Sequence, residues 1–207
     1  MEASAPVHPR IEPEPPSWQP RALWVGARLA CGSISFFFVS FLFAYFYLRS
    51  LDLDHTWKIG KVSPSIGLGT AVMVLFLLSG LIFRWGRGMV DTVLAGAAAV
   101  VLALVAIALQ CIEYTTLGFG PASGGYASVF TGWTALYAVF ALGGVYWIET
   151  QVASLWRARR EGIDRPLAEG VPAHETDLLA AGLEAGSFYW AYFVAIGVIT
   201  WVILYLV

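Results

Sequence analysis

The chain has 207 residues, of which 58% are apolar and only 13% charged, with 12 Lys and Arg against 14 Asp and Glu for a formal net charge of −2. A soluble domain carries about 25% charged residues, so this composition and a mean hydropathy of +0.71 exclude a water-facing globule. No basic run suits nucleic acid either.

Residues 1–20 hold six of the ten prolines and almost no aliphatic side chain, which reads as an extended tail. No basic region precedes a short apolar one there, so the segment does not read as a signal peptide. Residues 21–207 then form a single membrane domain. Crossing the roughly 30 Å hydrocarbon core takes about 20 mostly apolar residues in a helix. Five stretches qualify, at about 23–48, 66–83, 90–114, 126–147 and 180–207. They are too long and too continuously apolar for the alternating strands of a membrane barrel. The expected fold is an all-α membrane protein, a bundle of five transmembrane helices whose short linkers make neighbours antiparallel.

The first span is dense in rings. Eight of the twelve residues 36–47 are aromatic, and packing against protein or acyl chains accounts for them. In the third span Ala95, Ala99, Ala103, Ala106, Gln110 and Glu113 recur at helical spacing and share one face. Small residues let a second helix approach closely in lipid, so the four alanines mark a helix-packing face that ends in a polar pair. Glu113 has three readings: a group reaching the interface, a buried hydrogen-bonding group, or a proton carrier. Glu149 is expected to close the fourth helix beside arginines, with 156–160 as an anchor after it. Asp91 and Glu184 are expected at helix starts, where a carboxylate complements the macrodipole. Trp24, Trp57, Trp85, Trp147 and Trp156 suit interfacial anchors.

Basic residues predict the orientation. Nine arginines (10, 21, 28, 84, 87, 157, 159, 160 and 165) fall on the side of the tail, and only Arg49, Lys58 and Lys61 on the other. The positive-inside rule then puts the amino terminus in the cytoplasm and the carboxy terminus outside.

The same sequence predicts no redox or metal centre of its own. His8, His55 and His174 all lie outside the spans, and Met73 is at best one ligand at membrane depth, too little for an axially held haem. Cys31 and Cys111 lack a partner motif and read as small buried apolar residues. No phosphate loop, nucleophile elbow or metalloprotease motif occurs. Catalytic, cofactor-binding and metal residues are therefore expected to be none.

Taken together, several local patterns resemble subunit III of the haem–copper oxidases, the cytochrome c oxidase group. The first span reads Phe-Phe-Phe-x-x-Phe-Leu-Phe-Ala-Tyr-Phe-Tyr, with Trp57 in the next loop. The third ends Gln110-x-x-Glu113-Tyr114. The fourth opens Tyr126-x-Ser128-Val129-Phe130 and carries Thr134 and then Gly143-Gly144. The fifth has Glu184 before Tyr189-Trp190 and a late Tyr205. The resemblance covers all five spans in order, and it marks Gln110, Glu113, Tyr114, Glu184 and Trp190 as motif positions. There are departures. A carboxylate usual in the aromatic helix falls on Ile34 or Ser35, a His-x-x-His pair becomes Tyr137 and Phe140, and a histidine and aspartate of the last helix become Ala191 and Val194.

What the resemblance implies is a non-catalytic supporting subunit, a divergent five-helix prokaryotic member in the plasma membrane. It would pack against catalytic subunit I and other oxidase subunits, bind phospholipid, and support assembly and proton-coupled oxygen reduction in aerobic electron transport. Haem and copper would sit in the partner, with none in this chain. Alternatives are a similar accessory protein of a nitric oxide reductase and, in another class, a small membrane transporter, which usually carries polar groups at the bilayer midplane and inverted repeats.

Overall fold

The computed structural model describes residues 19–52, 57, 63–89, 91–161 and 173–207, with side chains at all of them except 86–89 and 173–177. Residues 1–18, including His8, and His55, Lys58, Lys61 and Arg165 lie outside the described residues, as do the side chains of Arg87, Met89 and His174. The described chain forms α1 (Gln19–Ser50), α2 (Ile66–Met89), α3 (Thr92–Thr116), α4 (Gly125–Glu161) and α5 (Ala173–Trp201), closed by a π-helical turn over Val202–Leu206. Each of the five is long and apolar enough to cross a membrane. The protein is an all-α, multi-pass membrane bundle.

α5 packs against α1, α2 and α4, while α3 lies between α2 and α4. Cross-helix bonds establish the directions. Arg49 near the end of α1 donates to the Val207 carbonyl beyond α5 at 3.0 Å, so α1 and α5 run parallel. Arg159 near the end of α4 bonds Asp91 at the start of α3, so those two run antiparallel. The core between them is aromatic: Phe76, Tyr137, Trp190 and Phe193 are buried together, with the Tyr137 and Phe193 rings stacked at 4.4 Å between centroids.

Helix ends depart from the hydropathy reading. Gln19 and Pro20, assigned to the tail, are the first residues of α1; proline is tolerated in a first turn because its missing N–H would have no intrahelical acceptor. α2 runs on from 83 to Met89, and α3 is shifted from 90–114 to Thr92–Thr116. Asp91 caps α3, accepting from the Val93 and Leu94 amides at 2.8 and 3.4 Å. The largest correction is in α4, which does not end near Trp147 but continues to Glu161. Its 37 residues extend about 55 Å at 1.5 Å each, well beyond the hydrocarbon core. Residues 148–161 contain no Gly or Pro, and the segment keeps a packed face: Leu155 and Ala158 are buried and Val152 lies where a Cβ on Gly96 would be. Residues 156–160 are thus the last turns of a helix, not an anchor beyond one. Glu149 sits in mid-helix, exposed and without an ion pair to a described residue.

α5 likewise starts at Ala173 rather than 180. Glu184 is therefore three turns inside it and cannot neutralise its amino terminus; the side chain is exposed on the outer surface. The aromatic run of α1 divides by face. Phe38 and Tyr45 are buried, whereas Phe36 and Phe43 are 78% and 69% exposed. Of the five expected anchors, Trp85 and Trp156 are exposed, Trp24 is half-buried against Phe188, and Trp147 packs on Tyr189. Trp57 does not act as an anchor: its ring is wedged edge-on between Tyr45 and Tyr126.

Candidate functional site

Polar side chains in a bundle of this kind are informative because hydrocarbon offers them no partner. Most of the buried ones gather near the end of the bundle where α3 and α5 finish. Gln110 and Glu113 stand three residues apart on α3, hence on one face. The Gln110 amide Nε2 donates to Glu113 Oε2 at 2.8 Å. From the π-helical turn that follows α5, the Tyr205 phenol donates to the same oxygen, also at 2.8 Å. Glu113 is completely buried; of the three readings of this residue, the one that brings it to the interface is overturned. The span ends only a turn beyond Glu113, but Tyr205 in the turn after α5 covers the carboxyl. Its other oxygen, Oε1, has no hydrogen-bond partner among the described residues.

Two further phenols brace the same region. Tyr114, next to Glu113, meets the Thr134 hydroxyl at 2.6 Å. Thr134 spends its own proton on the Phe130 carbonyl at 2.7 Å, so Tyr114 is the donor and α3 is tied to α4. Tyr126 at the start of α4 donates to the Leu204 carbonyl at 2.6 Å. A helix leaves its last carbonyls without intrahelical donors, and Tyr126 supplies one across the bundle. The π-helical turn at Val202–Leu206 is where both Leu204 and Tyr205 are presented; such turns widen the helix locally and shift the side chains that follow.

A second polar set lies deeper. The Trp190 indole donates to Ser79 Oγ at 3.0 Å, and Ser79 donates to the Ala99 carbonyl at 2.8 Å. One hydroxyl thereby joins α5, α2 and α3. Ala95, Ala99, Ala103 and Ala106 are all buried, so the small-residue face of α3 is occupied by helices of this same chain. Of the motif positions, Gln110, Glu113 and Tyr114 are brought together with Tyr126, Thr134 and Tyr205. Trp190 belongs to the deeper set, and Glu184 stands apart at the opposite end.

Ser79, Ser187 and Thr200 are the buried polar residues that the sequence pattern did not single out. A hydroxyl inside an apolar span ordinarily bonds its own helix one turn back, as Thr70 and Thr131 do here. The only available signal was the presence of Ser79 in a span with few other polar groups. Among the described residues no group of three or more His, Cys, Asp and Glu side chains could hold a metal ion, and both cysteines are free thiols, Cys31 buried and Cys111 exposed.

The opposite end of the bundle is basic. Arg21, Arg28, Arg84, Arg157 and Arg160 are exposed there, with the Arg160 guanidinium 3.8 Å over the Trp156 ring. Arg159 pairs with Asp91, and this hydrogen bond, more than the amide of Val93, holds the Asp91 carboxyl below its ordinary value of 3.8. Comparison with models of known protein families and with curated proteins returns no match.

Proposed function

We propose that this chain is a non-catalytic membrane subunit of the haem–copper oxidase subunit III kind, supporting a partner that holds the haems and copper. The observation that carries the reading is the convergence of the residues on which the resemblance rests. Gln110, Glu113 and Tyr205 share one carboxyl oxygen, Tyr114 bonds Thr134, and Tyr126 bonds the residue before Tyr205. Gly144 lies flat against Trp190 and Tyr189, where a Cβ would come within 2.6 Å of the tryptophan. Patterns from four stretches of sequence thus account for one another in space, which is what a shared fold would require of them.

In this reading the network is a clamp between α3, α4 and α5, and the protein's contribution is a rigid, lipid-embedded surface rather than chemistry. Bound phospholipid and catalytic subunit I are its partners. The arginine-rich end faces the cytoplasm by the positive-inside rule. The complex belongs to aerobic electron transport in a prokaryotic plasma membrane. The test is recovery of the tagged protein from its native membrane in mild detergent, followed by a visible spectrum and a mass inventory. A haem–copper catalytic subunit should co-purify in stoichiometric amount. Recovery as a lone, haem-free polypeptide overturns the proposal, and a nitric oxide reductase spectrum moves the chain to the other complex.

A further inference from the structure

We propose that the cavity between α2, α3, α4 and α5 is a binding site for water, which hydrates the hydrogen-bonded network around Glu113. The cavity has a volume of about 40 Å³ and is lined by Gly69, Gln110, Thr134, Thr200, Trp201 and Tyr205, among others. About 10–15 Å³ measured in this way suffices for one water, provided that two or more polar groups receive it. Both conditions are met. Gln110 and Tyr205, the two donors to Glu113 Oε2, form part of the wall.

The strongest indication is Thr200. It is only 6% exposed, it lines the cavity, and its hydroxyl has no hydrogen-bond partner among the described residues. Thr70, Thr131 and Thr134 each donate to the carbonyl four residues back, the usual solution for threonine in a helix. Thr200 declines that bond, so its hydroxyl requires a partner that is not its own backbone. The indole N–H of Trp201, a second lining residue, is buried and equally unpartnered. Thr200 also borders a second pocket between α1, α4 and α5, but only the present cavity is shared with Trp201, and a water between an unpartnered hydroxyl and an unpartnered donor can bridge the two. Water here also lies against Gln110 and Tyr205, the two side chains that donate to the only buried carboxyl among the described residues. The inference stands on this geometry and does not depend on the subunit III reading.

Radiolytic footprinting of the full chain, purified with whatever accompanies it, tests the site, because X-rays split water in place and the hydroxyl radical marks its neighbours. Tyr205 and Tyr189 are 8% and 6% exposed, but only Tyr205 lines the cavity. Tyr205 should be labelled several-fold faster than Tyr189; equal rates overturn the proposal. Thr200→Val supplies the second arm. With water bound, the variant loses a water ligand, so labelling of Tyr205 falls and the unfolding temperature drops. In a dry cavity the same change removes an unsatisfied hydroxyl, so labelling stays constant and the unfolding temperature rises; that result overturns the proposal too.

Discussion

The phenol of Tyr205 donates to Glu113 Oε2 at 2.8 Å although the two residues are 92 positions apart, and this bond joins the last turn of the bundle to the middle of the sequence. Because the Gln110 amide reaches the same oxygen, Glu113 serves as acceptor for two buried donors. Tyr205→Phe keeps the ring and removes one of them. It should lower stability by about 1–2 kcal/mol, the usual range for a buried hydrogen bond. Glu113→Gln retains an acceptor and should resemble it, whereas Glu113→Leu strands both donors and should exceed it, at about 2–4 kcal/mol. Unfolding midpoints in a detergent titration give the order; a Leu variant as stable as the Gln variant would show that the network contributes nothing.

How much of this was legible beforehand depends on which physics is involved. The five spans follow from apolar runs of membrane length, and the buried face of α3 follows from the spacing of Ala95, Ala99, Ala103 and Ala106, because both are local properties of the chain. Helix ends are different. Hydropathy falls after Trp147, but helicity does not, since the residues that follow still form hydrogen bonds along the axis and still bury Leu155 and Ala158. The same confusion of apolar run with helix misplaced Glu184 at a start. Burial of Glu113 was illegible for another reason: its distance from the span's end is local, but the cover comes from the turn after α5, and no pattern around Glu113 encodes where Tyr205 will lie.

The alanine face leads to a prediction about folding rather than about assembly. Ala99 has no exposed surface and its carbonyl accepts from Ser79, so Ala99→Leu must push α2 away from α3. Overpacking of this kind costs about 1–3 kcal/mol. Val101, on the other side of the same helix, is 58% exposed, and Val101→Leu should stay within about 0.5 kcal/mol of the parent. Thermal unfolding of the isolated chain in detergent distinguishes them. Equal midpoints would mean that the face packs against something outside the chain.

The Asp91–Arg159 pair gives the fold a pH and salt dependence. Arg159 and the cap amides hold the Asp91 carboxyl below its ordinary value of 3.8, which means that the folded protein binds this proton less readily than the unfolded chain does. The stabilisation is therefore complete above 3.8 and is lost as the pH falls through the lowered folded value. Asp91→Asn should be less stable than the parent at neutral pH, with the gap closing in strong acid. The Arg159 and Asp91 side chains are 33% and 49% exposed, respectively, so salt screens them, and the neutral-pH gap should narrow at high ionic strength. A gap that closes in acid but does not respond to salt would assign the effect to the cap bonds alone, and a gap independent of pH would show that the Asp91 charge contributes nothing.

Adjacent glycines on α4 provide the sharpest contrast. A Cβ on Gly144 would lie 2.6 Å from Cζ3 of Trp190, 3.0 Å from its Cε3 and 3.1 Å from Cε1 of Tyr189. Trp190 cannot swing aside without giving up the bond from its indole to Ser79, and it has no exposed surface through which to move. Gly144→Ala should therefore force α4 and α5 apart and lower stability by about 1–3 kcal/mol. A Cβ on Gly143 meets nothing within 4 Å. There the only effect is the better helix propensity of alanine, so Gly143→Ala should leave stability unchanged or raise it by up to about 1 kcal/mol. The two variants differ by one position and by no atoms in composition, so their unfolding midpoints isolate the contact between Gly144 and Trp190. If they shift together, that contact does not hold the helices in place.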